Sequence, residues 1–280
     1  MKIAIAQINS TSDLEANFEL VRDQATRARE AGAAVVVFPE ATMCAFGNRL
    51  TEVAEPLEGP WATRVRKLSA ELGIVTVHGM FTPGEGARVR NTLLATGPGV
   101  EASYDKIHLY DAFGFAESEA VTAGESISTF EVEGTTFGLT TCYDVRFPDL
   151  YRANAAAGAT VNIVCASWGD GPGKAEQWDT LIRARALDTT TFVVACDQAD
   201  PAASGHPAAG STPLGVGHSA AISPLGQTLA AAPLTPSLTV VDLDVAGLGD
   251  ARAKLPVLSN ARRFDAAGVA AAPGTTTVLP

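Results

Sequence analysis

Three side chains with distinct chemistry stand at the ends of apolar stretches: Glu40 in Phe38-Pro39-Glu40, Lys106 in Asp105-Lys106-Ile107-His108-Leu109-Tyr110, and Cys142 in Thr140-Thr141-Cys142-Tyr143-Asp144. Thr135–Thr141 reads as a strand, being β-branched and apolar with one glycine. Pro148 with Asp149 behind it reads as the first turn of a helix. Cys142 therefore sits where a strand gives way to a helix. Backbone N–H groups without intrahelical acceptors lie close to such a position. They favour a thiolate and can receive a developing oxyanion. A carboxylate in reach takes the thiol proton as general base, and the thiolate attacks an electrophilic carbon to give a covalent intermediate. An ammonium, with the Tyr143 backbone N–H, stabilises the oxyanion. Taken singly, each residue has a plainer reading. Cys142 is equally a small buried hydrophobe, Glu40 a solvated loop carboxylate and Lys106 a surface lysine. Strand ends of open α/β sheets face the ligand crevice, so the three together make a coherent kit.

The totals restrict what else the chain does. It has 280 residues, 46% hydrophobic and 18% charged, enough to bury a sizeable core. No linker or fixed-period repeat appears, so one domain over residues 1–280 is the simpler reading. The formal net charge is −11, which argues against a nucleic-acid partner. Cys44, Cys142, Cys165 and Cys196 lie far apart with no C-x-x-C spacing. That disfavours a disulfide framework or zinc site and fits a reducing cytoplasm. Cys165 and Cys196 end apolar strands and read as core. His78, His108, His206 and His218 show no ligand spacing, so no metal or other cofactor is expected. The N-terminus alternates like a strand and lacks the apolar core of a secretory signal. No run of 18 apolar residues predicts a membrane span.

The elements that must position the three residues alternate. Lys2–Ile8 predicts a strand, and Ser12-Asp13-Leu14-Glu15 a capping box opening a helix to about Ala31. Ala33–Phe38 predicts a doubly buried strand ending at Glu40. Pro60–Leu72 predicts a helix and Ile74–Met80 a strand. Thr92–Thr96 with Val100–Asp105, and Thr129–Glu133 with Thr135–Thr141, predict hairpins. After Cys142 a helix to about Ala157, a strand Thr160–Cys165, a helix Ala175–Asp188 and a strand Thr191–Cys196 follow. Residues 199–214 read as an inserted flexible loop. Val216–Ser223, Thr228–Ala231 and Leu238–Asp244 predict further strands, and a tail begins at about Leu255. This alternation predicts a layered α/β fold with a mixed sheet.

Phe38-Pro39-Glu40, Asp105 to Tyr110, and Gly138 to Pro148 resemble, in order, the three signature segments of the nitrilase superfamily of carbon–nitrogen hydrolases. Leu255-Pro256-Val257-Leu258 with Arg262-Arg263 resembles its C-terminal segment. The resemblance implies a four-layer α-β-β-α sandwich with mixed sheets, assembled into a homodimer or larger homo-oligomer with the tail packed at an interface. It implies Glu40 as general base, Lys106 as oxyanion stabiliser and Cys142 as nucleophile. A second active-site glutamate is implied at Glu117 in Phe115-Ala116-Glu117-Ser118, with Glu119 as rival. Cys142-Tyr143-Asp144 followed by Arg146-Phe147 resembles the branch of omega-amidase and deaminated glutathione amidase, implying a small linear amide as substrate. Trp168 and Arg146 are candidates for the substrate pocket; Arg183 and Arg185 are further cations without an assigned role. Asp144 and Arg146 are expected to pair structurally. A nitrilase or N-carbamoyl hydrolase on the same triad, a non-catalytic binding protein on the same fold, and a thiol redox protein using Cys44 are the rival readings.

Overall fold

The computed structural model describes residues 1–206 and 212–262. The loop expected over 199–214 and the tail expected from about 255 each fall partly outside the described residues.

The strands of the first half are β1 (Lys2–Gln7), β2 (Val35–Val37), β3 (Val75–Pro83), β4 (Val89–Gly97) and β5 (Val100–Asp105). A short ribbon, β6 (Asp111–Ala112) and β7 (Phe115–Ala116), follows. The second half holds β8 (Thr129–Val132), β9 (Thr135–Thr141), β10 (Val161–Ala166), β11 (Phe192–Asp197), β12 (Ala220–Ile222), β13 (Thr228–Ala231) and β14 (Ser237–Asp242). The helices are α1 (Leu14–Glu30), α2 (Leu50–Val53), α3 (Pro60–Leu72), α4 (Pro148–Ala156), α5 (Lys174–Thr189), α6 (Leu248–Lys254) and α7 (Val257–Asn260).

Two six-stranded sheets result, ordered β14-β1-β2-β3-β4-β5 and β13-β12-β11-β10-β9-β8. Each is mixed. Helical crossovers join β1, β2 and β3 in parallel, and β9, β10 and β11 likewise. Hairpins and β14 supply the antiparallel pairs.

Period-two alternation explains the stacking. On β1, Ile3 and Ile5 face the other sheet and pack with Leu139 and Ile163 in one core. Ala4 and Ala6 face the opposite way, into a core with Phe18, Val21 and Ala25 of α1 and Trp61 and Val65 of α3. On β9, Thr140 bonds Tyr151 of α4 at 2.9 Å, and a Cβ on Gly138 would lie 2.6 Å from Asn154 of α4. The chain is therefore a four-layer α-β-β-α sandwich with mixed sheets. Among the described residues, no helix is long and apolar enough to cross a membrane.

Local chemistry shifts some expected boundaries. Asp13, not Ser12, caps α1: its Oδ1 accepts from the N–H groups of Glu15 and Ala16 at 2.9 and 3.1 Å. The strand expected over 216–223 shrinks to β12, because Gly215, Gly217 and His218 all take positive φ, which ends an extended run. Pro148 does open α4, after a 3-10 turn at Cys142–Arg146 that the pattern alone did not separate.

Candidate active site

Glu40 follows β2 in a turn where Ala41 has φ 57°. The neighbouring strand allows this turn because Gly79 of β3 has no side chain; a Cβ there would lie 2.5 Å from the Ala41 nitrogen. The Glu40 carboxylate is fully buried. Its Oε1 accepts from Asn91 Nδ2 at 2.6 Å and Lys106 Nζ at 3.0 Å, and its Oε2 from the Ser167 N–H at 2.8 Å. Burial pushes its pKa up; the Lys106 ammonium opposes that shift, and the Glu117 carboxylate adds to it.

Lys106 leaves β5 with its backbone fixed, its N–H donating to Asn91 O and its carbonyl accepting from Gly124 N–H. Its Nζ lies 3.1 and 2.8 Å from the two carboxylate oxygens of Glu117. Glu117 is buried in a 3-10 turn after the β6–β7 ribbon, and its Oε2 also accepts the Tyr110 N–H at 2.7 Å. Glu119, its rival from the sequence, is exposed. Burial alone would lower the Lys106 pKa, but the two carboxylates outweigh it and hold the ammonium well above the ordinary range.

Cys142 opens its 3-10 turn with φ 45°, a conformation costly for a residue with a side chain. Asp144 holds the turn. Its buried carboxylate accepts from the Thr141 N–H at 2.9 Å, the His108 N–H at 3.0 Å and the Tyr104 hydroxyl at 2.6 Å. The His108 ring lies 2.7 Å from the same carboxylate and stacks on Phe147 at 3.7 Å. The expected pairing of Asp144 with Arg146 does not form, because Asp144 is saturated by these donors and Arg146 donates to Gln177 at 2.6 Å.

The Cys142 thiol donates to the Ser167 carbonyl at 3.9 Å. Ser167 thus touches the Cys142 thiol and the Glu40 carboxylate through the two ends of its own backbone. Burial, and then the Glu40 charge, push the thiol pKa well up. The Lys106 ammonium opposes this shift, as do the helix-start N–H groups expected to favour a thiolate.

A cavity of about 380 Å³, open solvent at its mouth included, is lined by Glu40, Lys106, Glu117 and Cys142. Tyr143 and Trp168 form walls. Tyr143 lies in the first turn of the 3-10 helix, where N–H groups have no intrahelical acceptor. Trp168 is pinned at both ends, its N–H donating to Asp197 at 2.8 Å and its indole to Lys174 O at 2.9 Å. Arg146 is not among the residues lining this cavity; its guanidinium lies 5.1 Å from the Trp168 ring centroid. Cys44 sits in a separate apolar cluster with Phe81 and Val89, and Cys165 and Cys196 are buried in the core.

The profile described as carbon–nitrogen hydrolase matches residues 2–253. The chain belongs to the carbon–nitrogen hydrolase family. It is similar to a hydrolase of Mycobacterium tuberculosis, at 51% identity over 94% of this chain and 96% of that one. It is 37% identical to a deaminated glutathione amidase of Escherichia coli O157:H7, over 94% of this chain and 98% of that protein. Among solved structures it resembles a mutant amidase of Nesterenkonia sp. AN1 that carries acrylamide added at its active-site cysteine. That match has a TM-score of 0.76 and 28% identity, covering 91% of this chain and 98% of the other.

In this carbon–nitrogen hydrolase, several site residues escape a reading of the sequence. Asn91 carries no motif, yet its amide reaches both Glu40 and Glu117, at 2.6 and 3.3 Å. Ser167 acts through its backbone, which no residue type announces. Lys174 lines the cavity beside Trp168, and its only signal in the sequence is a cation directly after Gly171-Pro172-Gly173.

Proposed function

We propose that the chain is a thiol amidohydrolase of small linear amides, similar in activity to omega-amidase or deaminated glutathione amidase. The observation that carries this reading is the position of Lys106 Nζ, within 3.1 Å of both Glu40 and Glu117 in a cavity that Cys142 also lines.

Glu40 takes the thiol proton as the sulfur attacks the amide carbon. Its raised pKa suits a general base, because proton affinity rises toward that of the donor. The carbonyl oxygen becomes an oxyanion, stabilised by Lys106 and the Tyr143 N–H. Glu40 returns the proton to the departing nitrogen, ammonia leaves, and a thioester to Cys142 remains. Water, deprotonated by Glu40, attacks the thioester; the acid leaves and the thiol is restored. Glu117 holds Lys106 in register through both turns of this cycle.

The test is ammonia release from linear amides such as butyramide, with mass spectrometry of the protein. An acyl adduct on Cys142, and loss of both adduct and ammonia in Cys142→Ala, are expected. Full activity in that variant would refute the assignment. Matched nitrile and carbamoyl substrates distinguish the rival reactions of the same triad, and a non-catalytic binding protein would show no adduct with any of them.

A further inference from the structure

Asp197 ends β11 as a fully buried carboxylate that has no part in the cycle above. Aspartates are almost never fully buried unless paired. Among the described residues its side chain pairs with no cation and bonds two backbone N–H groups instead. Oδ1 accepts from Trp168 at 2.8 Å and Oδ2 from Val216 at 2.9 Å. Burial pushes its pKa well up; the Val216, Trp168 and Gln198 N–H groups oppose that shift, and the Glu40 carboxylate adds to it.

The two partners belong to two walls of the cavity. Parallel pairing sets Asp197 beside Ala166, the last residue of β10, so its carboxylate meets the chain as it leaves that strand through Ser167 and Trp168. Val216 lies in the turn that begins at Pro213. Ser167, Trp168 and Pro213 all line the cavity, and Asp197 does not. The walls are also joined to each other: Ser167 Oγ donates to Pro213 O at 2.7 Å and the Gly215 N–H to Trp168 O at 3.1 Å. The turn reaches Asp197 because Gly215 takes φ 101° and carries no Cβ, which would strike the Gln198 carbonyl.

The Ser167 carbonyl and the Trp168 N–H belong to one planar trans peptide group, in which they point in opposite directions. Asp197 grips the N–H. The carbonyl faces the Cys142 thiol at 3.9 Å. One peptide back, the Ser167 N–H donates to Glu40 at 2.8 Å. The carboxylate therefore sets the plane of the group against which the nucleophile rests.

We propose that Asp197 is a positioning residue for the reaction. By orienting the Ser167–Trp168 peptide it keeps the Ser167 carbonyl on the Cys142 thiol and the Ser167 N–H on the Glu40 carboxylate, so that nucleophile and base stay in register.

The test uses two variants. Asp197→Asn keeps the shape and one acceptor oxygen, and Asp197→Ala keeps neither. On butyramide, kcat should fall about 10-fold in Asp197→Asn and about 100-fold in Asp197→Ala, the span expected for hydrogen bonds to a charged group. KM should change less than about threefold, since the loss falls on the reacting groups and not on binding. Rates are taken where circular dichroism shows the variants folded. Where Asp197→Ala does not fold, Asp197→Asn decides alone. Alkylation of Cys142 by iodoacetamide, followed by peptide mass spectrometry, should slow in the same order. Wild-type kcat in the variants, a loss confined to KM, or an unchanged alkylation rate overturns the proposal. The kinetic arm rests on the amidase reading, and the alkylation arm does not. If alkylation slows while the wild type hydrolyses no amide, the amidase reading fails and the positioning of the thiol stands.

Discussion

Asn91 Nδ2 lies 2.6 Å from Glu40 Oε1, and both residues are fully buried. The bond favours the ionised carboxylate in a place where burial already holds its pKa above the ordinary range. Asn91→Ala should therefore raise the Glu40 pKa further and move the acidic limb of the pH–rate profile to higher pH. The rate at the plateau should fall about 10- to 100-fold, the size of a hydrogen bond to a charged group. A pH–kcat/KM profile for both proteins checks this; a limb that stays in place contradicts it.

Lys106 is the cation between the Glu40 and Glu117 carboxylates, which the neutral Asn91 amide also bridges. Lys106→Met should lower kcat about 100- to 1000-fold through loss of an oxyanion donor. It should also destabilise the fold by about 3–5 kcal/mol, because two buried charges lose their partner. Glu117→Gln keeps the shape and one acceptor, so its loss of stability should be smaller while Lys106 becomes less firmly held. Denaturant melts and kcat for the two variants check the order. Wild-type kcat in Lys106→Met would remove the lysine from the chemistry.

The parts of this site that a sequence displays are those where side-chain type carries the role and a strand end fixes the place. Glu40 and Cys142 each end an apolar strand, Lys106 follows the hairpin strand Val100–Asp105, and the structure gathers the three in one cavity. Glu117 was separable from Glu119 only by resemblance, since two residues apart on a 3-10 turn one points inward and the other outward. A layered α/β fold was legible from strands alternating with helices, the four-layer stacking only from the family resemblance, and β12 was cut short by positive-φ residues that look like ordinary strand neighbours. Asn91 sits in a strand without any periodic mark, and Ser167 contributes an N–H and a carbonyl that every residue possesses. The upward shift of the Cys142 pKa comes first from desolvation by residues distant in the chain, so no local pattern encodes it.

His78 is fully buried beside Trp61, and neither of its ring nitrogens has a partner among the described residues. Burial pushes its pKa down to about 3. Between that value and the ordinary one near 6.5 the unfolded chain binds a proton that the folded chain refuses, so stability rises with pH across this window. On lowering the pH from 7 to 4.5, this group alone should cost about 2–3 kcal/mol. His78→Leu, of similar size and without a titrating ring, should flatten the acid-side loss by that amount. Urea unfolding at the two pH values for both proteins measures it; equal slopes would assign the acid sensitivity to other groups.

Gly79 meets the Glu40–Ala41 backbone, not a side chain that could turn away. A Cβ there would lie 2.5 Å from the Ala41 nitrogen and 2.9 Å from the Glu40 Cα. Backbone cannot rotate aside, so Gly79→Ala must push the Glu40 turn out of the cavity or part β2 from β3. The expected cost is about 1–3 kcal/mol of stability, with a fall in kcat of about 100-fold if the base moves by roughly 1 Å. Gly249 supplies the contrast. It lies in α6 at negative φ with nothing within 4 Å of a built Cβ, so Gly249→Ala should stabilise the helix by about 0.5–1 kcal/mol and leave kcat unchanged. Thermal melts and initial rates for the pair separate a local clash at the base from a general response to glycine replacement. Equal behaviour of the two variants would show that the Glu40 turn tolerates the extra carbon.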